Sequence, residues 1–290
     1  MTGPIPGGGG TILTPSSGRR SRILDVGEGR RAIAIAIVSS VLFFSAIGLV
    51  IVNSPGWPRF QASFLDAEVF AASWPRIASA FWVNIRLFLI AEVLILALGL
   101  VIAVMRSLPG PVFFPLRLLA TAYVDLFRAL PGVLVIFMLG FGIPALRIEG
   151  VPIDPFFWAV VALTLIYSAY VAEVYRAGIE SIHPSQAAAA RSLGLSQLQS
   201  MRHVVLPQAV RRVVPPLLND FIGLQKDTAL VGFLGVVEVL KAAQIRQSAT
   251  FNFTPYLVTA LLFVLLTIPM ARFVDWLVAR DQRRAAVGGR

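Results

Sequence analysis

Between residues 219 and 228, a stretch otherwise flanked by apolar chain gathers Asn219, Asp220, Gln225, Lys226, Asp227 and Thr228. Two carboxylates seven residues apart fall near one face of a helix, and Lys226 stands where it could neutralise one of them. Carboxylates, an ammonium and amides together suit a polar path through an apolar medium or a seam between two chains. They do not suit a lipid-facing surface. Two roles fit the cluster: contact with a transported solute, or fixing of a helix pair. Three further ionisable residues interrupt apolar runs. Arg86 is expected to snorkel to the outer interface, and Glu92 suits either a structural pair or a transport role. Glu173 is expected to pair with Arg176, and it joins the cluster as a candidate for the path or seam.

The remaining chemistry is mostly exclusion. With no cysteine, thiolate nucleophiles, disulfides and thiolate metal sites are ruled out. The two histidines, His183 and His203, are twenty residues apart, and neither His-Glu-x-x-His nor Gly-x-Ser-x-Gly occurs. No Gly-x-x-x-x-Gly-Lys-Ser/Thr phosphate loop is present either, so ATP is not held in that way. An enzyme is not expected, nor a cofactor or metal on this chain.

The elements that position these residues must be membrane spans. The chain has 290 residues, of which 57% are hydrophobic and 14% charged, and a mean hydropathy of +0.79. That is more apolar surface than a soluble domain of this length can hide. A bilayer core takes about 20 mostly apolar helical residues per crossing. Six segments qualify: 32–52, 80–105, 118–145, 156–175, 211–235 and 255–279. The third is interrupted at Leu130-Pro131-Gly132 and the fifth opens with Pro215-Pro216, breaks tolerated only where backbone faces protein or a cavity. The fold class is therefore all-α, a polytopic membrane protein of about six transmembrane helices.

The domain plan follows. Residues 1–31 form a disordered tail, and 32–79 the first span with an extracytoplasmic loop. A transmembrane domain covers 80–280 with an inserted loop at 176–210, and 281–290 is a second tail. The loop segment Pro55–Trp74 suits an outer docking surface or an amphipathic interfacial segment.

The net charge of +10 does not indicate a nucleic-acid partner, because the cations bracket apolar segments. Arg19, Arg20, Arg22, Arg30, Arg31, Arg106, Arg117 and Arg128 fall on one side. With them are the arginines of the 176–210 region and its sequel (Arg176, Arg191, Arg202, Arg211, Arg212) and Arg280, Arg283, Arg284 and Arg290. The other side has Arg59, Arg76, Arg147, Lys241 and Arg246. By the positive-inside rule both termini and the inserted loop are cytoplasmic.

That insert, "SQAAAARSLGLSQLQSMRHVVLPQA" (185–209), has its own logic. Ser185 is expected to cap a helix over Ala187–Leu193, and four consecutive alanines favour it. Gly194 sits where a helix C-terminus takes a left-handed residue. Ser196 and Gln199 make a capping box for a second helix. On that helix Leu198, Met201 and Val205 share a face, and Pro207 comes late enough to end or bend it.

Residues Ala188-Ala189-Ala190, then Arg191-Ser192-Leu193, Gly194, nine residues, Val204, Val205 and Leu206-Pro207 resemble the cytoplasmic signature of ABC importer permeases. That signature runs Glu-Ala-Ala, three residues, Gly, nine residues, an aliphatic residue, any residue, Leu-Pro. "YVDLFRALPGVLVIF" (123–137), "AEVYRAGIESI" (172–182) and "PPLLNDFIGLQKDTALV" (215–231) are similar to the polar amino-acid uptake subfamily (histidine, glutamine and glutamate types), so the resemblance covers about residues 80–275. Ala188 departs from the leading Glu, and Ala129-Leu130 from the usual Gly-Thr. The resemblance implies the ABC importer type I permease fold, a bacterial inner-membrane location and alternating access driven by separate ATPase subunits that hold ATP and Mg. It also implies a second permease chain, alike or different, and an extracytoplasmic amino-acid-binding protein. Ser185, Ala188, Ala189, Ala190, Arg191, Gly194, Leu206 and Pro207 would form the helix that docks on the ATPase, and Ala188→Glu should be tolerated. The rival reading is an ATP-independent secondary transporter or channel, which has no need of the 194–207 insert.

Overall fold

The computed structural model describes the backbone of residues 30–288 and the side chains of residues 32–280. The tail expected over 1–31 therefore lies almost wholly outside the described residues. Among those described, helices α1 (Arg30–Val52), α2 (Trp57–Phe64), α3 (Ala67–Ser107), α4 (Phe114–Ala129), α5 (Gly132–Phe137) and α6 (Ile143–Ala145) come first. They are followed by α7 (Pro155–Glu180), α8 (Pro184–Ser192), α9 (Gln197–Ser200), α10 (Leu206–Asp227), α11 (Val239–Thr250) and α12 (Thr254–Gly288). By packing, the chain falls into two units divided between Pro58 and Arg59. The first holds α1, an apolar helix whose side chains are almost all exposed.

By length and composition four helical stretches can cross a bilayer: Ala32–Val52, Trp57–Ser107, Pro155–Glu180 and Thr254–Arg280. Two bent pairs bring the number to six if each is one span, 111–129 with 132–145 bent by 106°, and 197–234 with 239–250 bent by 51°. The expected break at Leu130-Pro131-Gly132 is thus present and sharp.

Several boundaries differ from expectation for local reasons. The second span begins not at 80 but at Ala67, where Asp66 caps α3 by accepting from the Val69 amide at 2.9 Å. Pro75 lies inside that helix. The loop expected over 53–79 is therefore mostly helical. Within it Phe64 stacks on Phe60 and on Phe253, with ring centroids 4.9 and 5.0 Å away. The Phe253 amide donates to the Ser63 carbonyl at 2.7 Å. Pro215 and Pro216 do not open the fifth span but sit within α10, which costs the Arg211 and Arg212 carbonyls their intrahelical partners. The helix α11 had no expected counterpart, and α12 continues to Gly288 through the segment assigned to a tail.

The main core lies where α3, α5, α7 and α10 meet, around Leu87, Ile95, Ile136, Leu163 and Leu224, each buried to about 1% exposure or less. Phe88 packs edge-on against Phe221 at 4.4 Å between centroids. Near the end of α7, Gly178 allows α10 to come so close that any Cβ there would overlap Val213. This contact draws the end of α7 and the start of α10 together. The intervening residues must therefore form a compact hairpin.

Candidate functional site

The hairpin between α7 and α10 is built from short-range hydrogen bonds. Helix α8 starts earlier than expected: Pro184 occupies its first turn, and the cap is His183, whose Nδ1 accepts from the Ser185 amide at 3.2 Å. Ser185 is therefore a first-turn residue rather than the cap. Its hydroxyl lies 2.7 Å from the same His183 nitrogen. Pro suits this place because its missing N–H falls among the amides a helix start leaves unpaired anyway.

The C-terminus of α8 is a Schellman turn. Gly194 has φ +88°, its amide donates to the Arg191 carbonyl at 2.9 Å, and the Leu195 amide reaches the Ala190 carbonyl at 3.3 Å. The expected capping box at α9 is present. The Gln199 amide donates to Ser196 Oγ at 3.2 Å, and the Ser196 amide to Gln199 Oε1 at 2.9 Å. Beyond α9 the chain makes a π-turn over Met201–Val205 and continues directly into α10. Pro207 does not end the helix: it lies in the first turn of α10, directly after the widened turn.

The hairpin is fastened on one side only. Ile182, Val205 and Ala209 form a small buried cluster with Ala187 against it. Arg212 donates to the Ser181 carbonyl, and Ala190 is 4% exposed. The other side is open. Ala188, Ala189, Arg191 and Pro207 are exposed, Leu206 is 46% exposed, and Leu193 and Leu198 on either side of Gly194 are 85% and 77% exposed. Of Leu198, Met201 and Val205, expected to share a face, only Val205 is buried. The hairpin is thus capped at both helices, turned at Gly194, and bare of packing at its tip leucines.

The polar residues of α10 are not one site. Asp227 accepts from the Tyr167 hydroxyl at 2.8 Å. Asp220 is half-buried with one oxygen lacking a hydrogen-bond partner, and Glu92 of α3 lies within electrostatic reach of it. Lys226 is exposed and enters no ion pair among the described residues, so it does not neutralise either carboxylate. Asn219 is likewise exposed. Gln225 is buried and turns the other way, accepting from Thr267 of α12 at 2.9 Å. Thr228 is fully buried. Its hydroxyl donates to the Gln225 carbonyl at 2.7 Å and accepts from Asn84 Nδ2 at 3.0 Å.

This last contact belongs to a node that sequence reasoning missed. Glu238, fully buried at the start of α11, caps that helix by accepting from the Leu240 and Lys241 amides at 2.8 and 2.6 Å. Asn84 of α3 donates to Glu238 at 3.2 Å while its own oxygen accepts from the Val239 amide at 3.0 Å. Asn84 stood as an isolated amide in an apolar span, which is the one sequence feature that could have pointed to it.

Glu173 forms the expected ion pair with Arg176 but has a second partner, Arg106 of α3, at 2.7 Å. Arg176 in turn also reaches Glu180. Held by two guanidiniums, Glu173 ties α3 to α7. Arg86 is exposed and its guanidinium lies 6.0 Å from the Phe156 ring, in keeping with snorkelling. No group of three or more His, Asp or Glu suited to a metal ion occurs among the described residues.

Residues 95–282, from mid-α3 into α12, match the family described as the binding-protein-dependent transport system inner membrane component. The probable glutamine ABC transporter permease protein GlnM of Bacillus subtilis (strain 168) is 40% identical over 200 residues, covering 67% of this chain and 90% of that protein. The glutamate transport system permease protein GluC of Corynebacterium glutamicum is 35% identical over 215 residues, covering 70% and 93%. The crystal structure of an amino acid ABC transporter with histidines superposes with a TM-score of 0.68 at 31% identity. It covers 74% of this chain and 98% of that one.

Proposed function

The chain belongs to the family of binding-protein-dependent transport system inner membrane components, and on that premise we propose that it carries a polar amino acid into the cytoplasm as the permease of an ABC importer. It is a multi-pass membrane protein and a transport subunit, not an enzyme. The named substrates of its relatives, glutamine and glutamate, support a polar amino acid of the glutamate, glutamine, arginine and histidine class. ATP and Mg belong to a separate ATPase dimer. A second permease copy or a similar chain completes the pathway, and an extracytoplasmic binding protein delivers the solute. Both termini and the α8–α9 hairpin face the cytoplasm on the arginine distribution.

The observation that carries this reading is the hairpin itself. Its inner side is clamped to α7 and α10, and its outer side offers Leu193 and Leu198 to a partner. Force applied at its tip passes into two spans together. We assign Ser185, Ala188, Ala189, Ala190, Arg191, Gly194, Leu206 and Pro207 to that docking element. Of the path candidates Asp220 and Asp227, with Glu92, are retained, because their carboxylates lie between helices without a cation against them.

The test is reconstitution of the chain with its genomic-neighbour ATPase and binding protein in liposomes. Amino-acid uptake should require ATP, and the loaded binding protein should stimulate hydrolysis. Uptake that persists without ATP or without the ATPase chain refutes the proposal.

A further inference from the structure

An open cleft of about 510 Å³ runs along the arginine-rich ends of α3 and α7 and the first half of α10. That is within the roughly 300–1,000 Å³ of small-ligand sites. Ala103, Val104, Ile179, Val210, Val213 and Leu217 line it, and every other lining residue but Ser107 and Tyr175 is also aliphatic. In place of the hydrogen bonds a polar amino acid would lose, these walls offer only the Ser107 and Tyr175 hydroxyls, the first of them already donating to the Ala103 carbonyl, so they make a poor polar path. Val104 and Val210 are each about half exposed (53% and 51%), so the cleft is open at its side.

The arginines at this end of the molecule fall into two groups. Arg106 and Arg176 are neutralised by Glu173 and Glu180. Arg117, Arg211 and Arg212 are not paired with any carboxylate among the described residues. Arg117 is instead held at the mouth by carbonyls, donating to Leu108, itself a lining residue, at 2.7 Å and to Gly110 at 2.6 Å. Arg212 is held by the Ser181 carbonyl. Arg211 is exposed and follows the lining residue Val210 in sequence. Carbonyl bonds fix a guanidinium in place and leave its positive charge uncancelled.

We infer that the cleft between α3, α7 and α10 holds one acyl chain of an anionic phospholipid, with Arg117 and Arg211 at its headgroup. The lipid belongs to the cytoplasmic leaflet on the orientation proposed above. The aliphatic walls match a hydrocarbon tail, and the uncancelled arginines match a phosphate at the same end. A bound tail would sit beside the Gly178–Val213 contact that couples α7 to α10. The lipid is thus placed where the hairpin's motion must pass.

Because the chain has no cysteine, Val104→Cys gives a single labelling position on the cleft wall. The labelled full-length protein is placed in liposomes, and a bimane at residue 104 is titrated with dibromo-phosphatidylglycerol or dibromo-phosphatidylcholine. Phosphatidylglycerol should quench at a several-fold lower mole fraction. Arg117→Gln and Arg211→Gln should each reduce that preference, by about fivefold per arginine lost from the surface. Ala103→Trp, which fills the cleft, should abolish quenching by both lipids. Should that variant fail to fold, the arginine pair still decides the matter. Equal quenching by the two lipids, or a preference that survives loss of both arginines, overturns the proposal. So does disulfide formation between the introduced thiols of two unlabelled Val104→Cys chains, because a second permease copy then covers the cleft.

Discussion

Gly194→Val isolates the hairpin's shape from everything else in the molecule. A Cβ at position 194 would meet no atom within 4 Å, so the substitution creates no clash with a neighbour. Its whole cost comes from the backbone, which has φ +88° there. Holding an L-residue in the left-handed region costs about 1–2 kcal/mol, and β-branching makes the position harder still. That is roughly a 5- to 30-fold loss in the population of the native turn relative to its alternatives. The Leu195–Ala190 and Gly194–Arg191 bonds that close the Schellman turn are lost with it. Since the hairpin lies outside the main core, membrane abundance and thermal stability in detergent should be close to wild type. Uptake per ATP hydrolysed should fall. Proteoliposomes with the ATPase and binding protein give both quantities from one preparation, as accumulated amino acid and released phosphate. Gly194→Asn is the control, because Asn tolerates the left-handed region, and it should retain most of the coupling. Val at the wild-type uptake-to-hydrolysis ratio, at matched abundance, would show that the turn's geometry has no part in coupling.

Three further outcomes follow from named contacts. Asn84→Leu removes the donor to Glu238 and leaves its carboxylate buried and under-satisfied. A loss of about 1–3 kcal/mol should appear as a lower melting temperature in detergent, with Lys241→Gln as a milder neighbour. Glu173→Gln should loosen α3 from α7 by freeing Arg106 and leaving Arg176 with Glu180 alone. A double-mutant cycle with Arg106→Gln should give a coupling energy of order 1 kcal/mol, discounted because both side chains are partly exposed, and additivity would refute the bridge. Gly178→Leu should push α10 off α7 at Val213 and reduce folded protein in the membrane, by about 1–3 kcal/mol or more of overpacking.

The spans were legible because apolar length and helix period are local properties, and all but one of the six expected segments start within about five residues of a structural helix or half-span. The exception is span two, where a mildly polar run at 67–79 is helical because Asp66 caps it and α11 and α12 pack against it. No hydropathy window contains that information. The hairpin was legible where one residue dictates one geometry, as at Gly194 and in the Ser196–Gln199 box. The Lys226 neutralisation failed for a different reason: spacing along the chain puts residues on a face, but only tertiary packing says what the face meets. Tyr167, sixty residues earlier, took Asp227 instead.

The cap of α8 changes how Ala188 should be understood. If Ser185 capped the helix, position 188 would be the third residue in, where a Glu closes a capping box on the cap's own amide. With His183 as cap, that third position belongs to Gln186, whose amide already donates to the His183 carbonyl at 2.9 Å and whose side chain is 3.4 Å from Gln208. Ala188 then lies past the first turn, exposed on the outer side of the hairpin, where no orphan amide remains for a carboxylate to accept. A Glu placed there would serve a partner and not the helix. Ala188→Glu should accordingly leave the fold of α8 unchanged and support uptake near wild type, whereas His183→Ala should fray α8 by about 1 kcal/mol. A coupling defect in Ala188→Glu with normal behaviour in His183→Ala would reverse the assignment of which end of α8 the docking relies on.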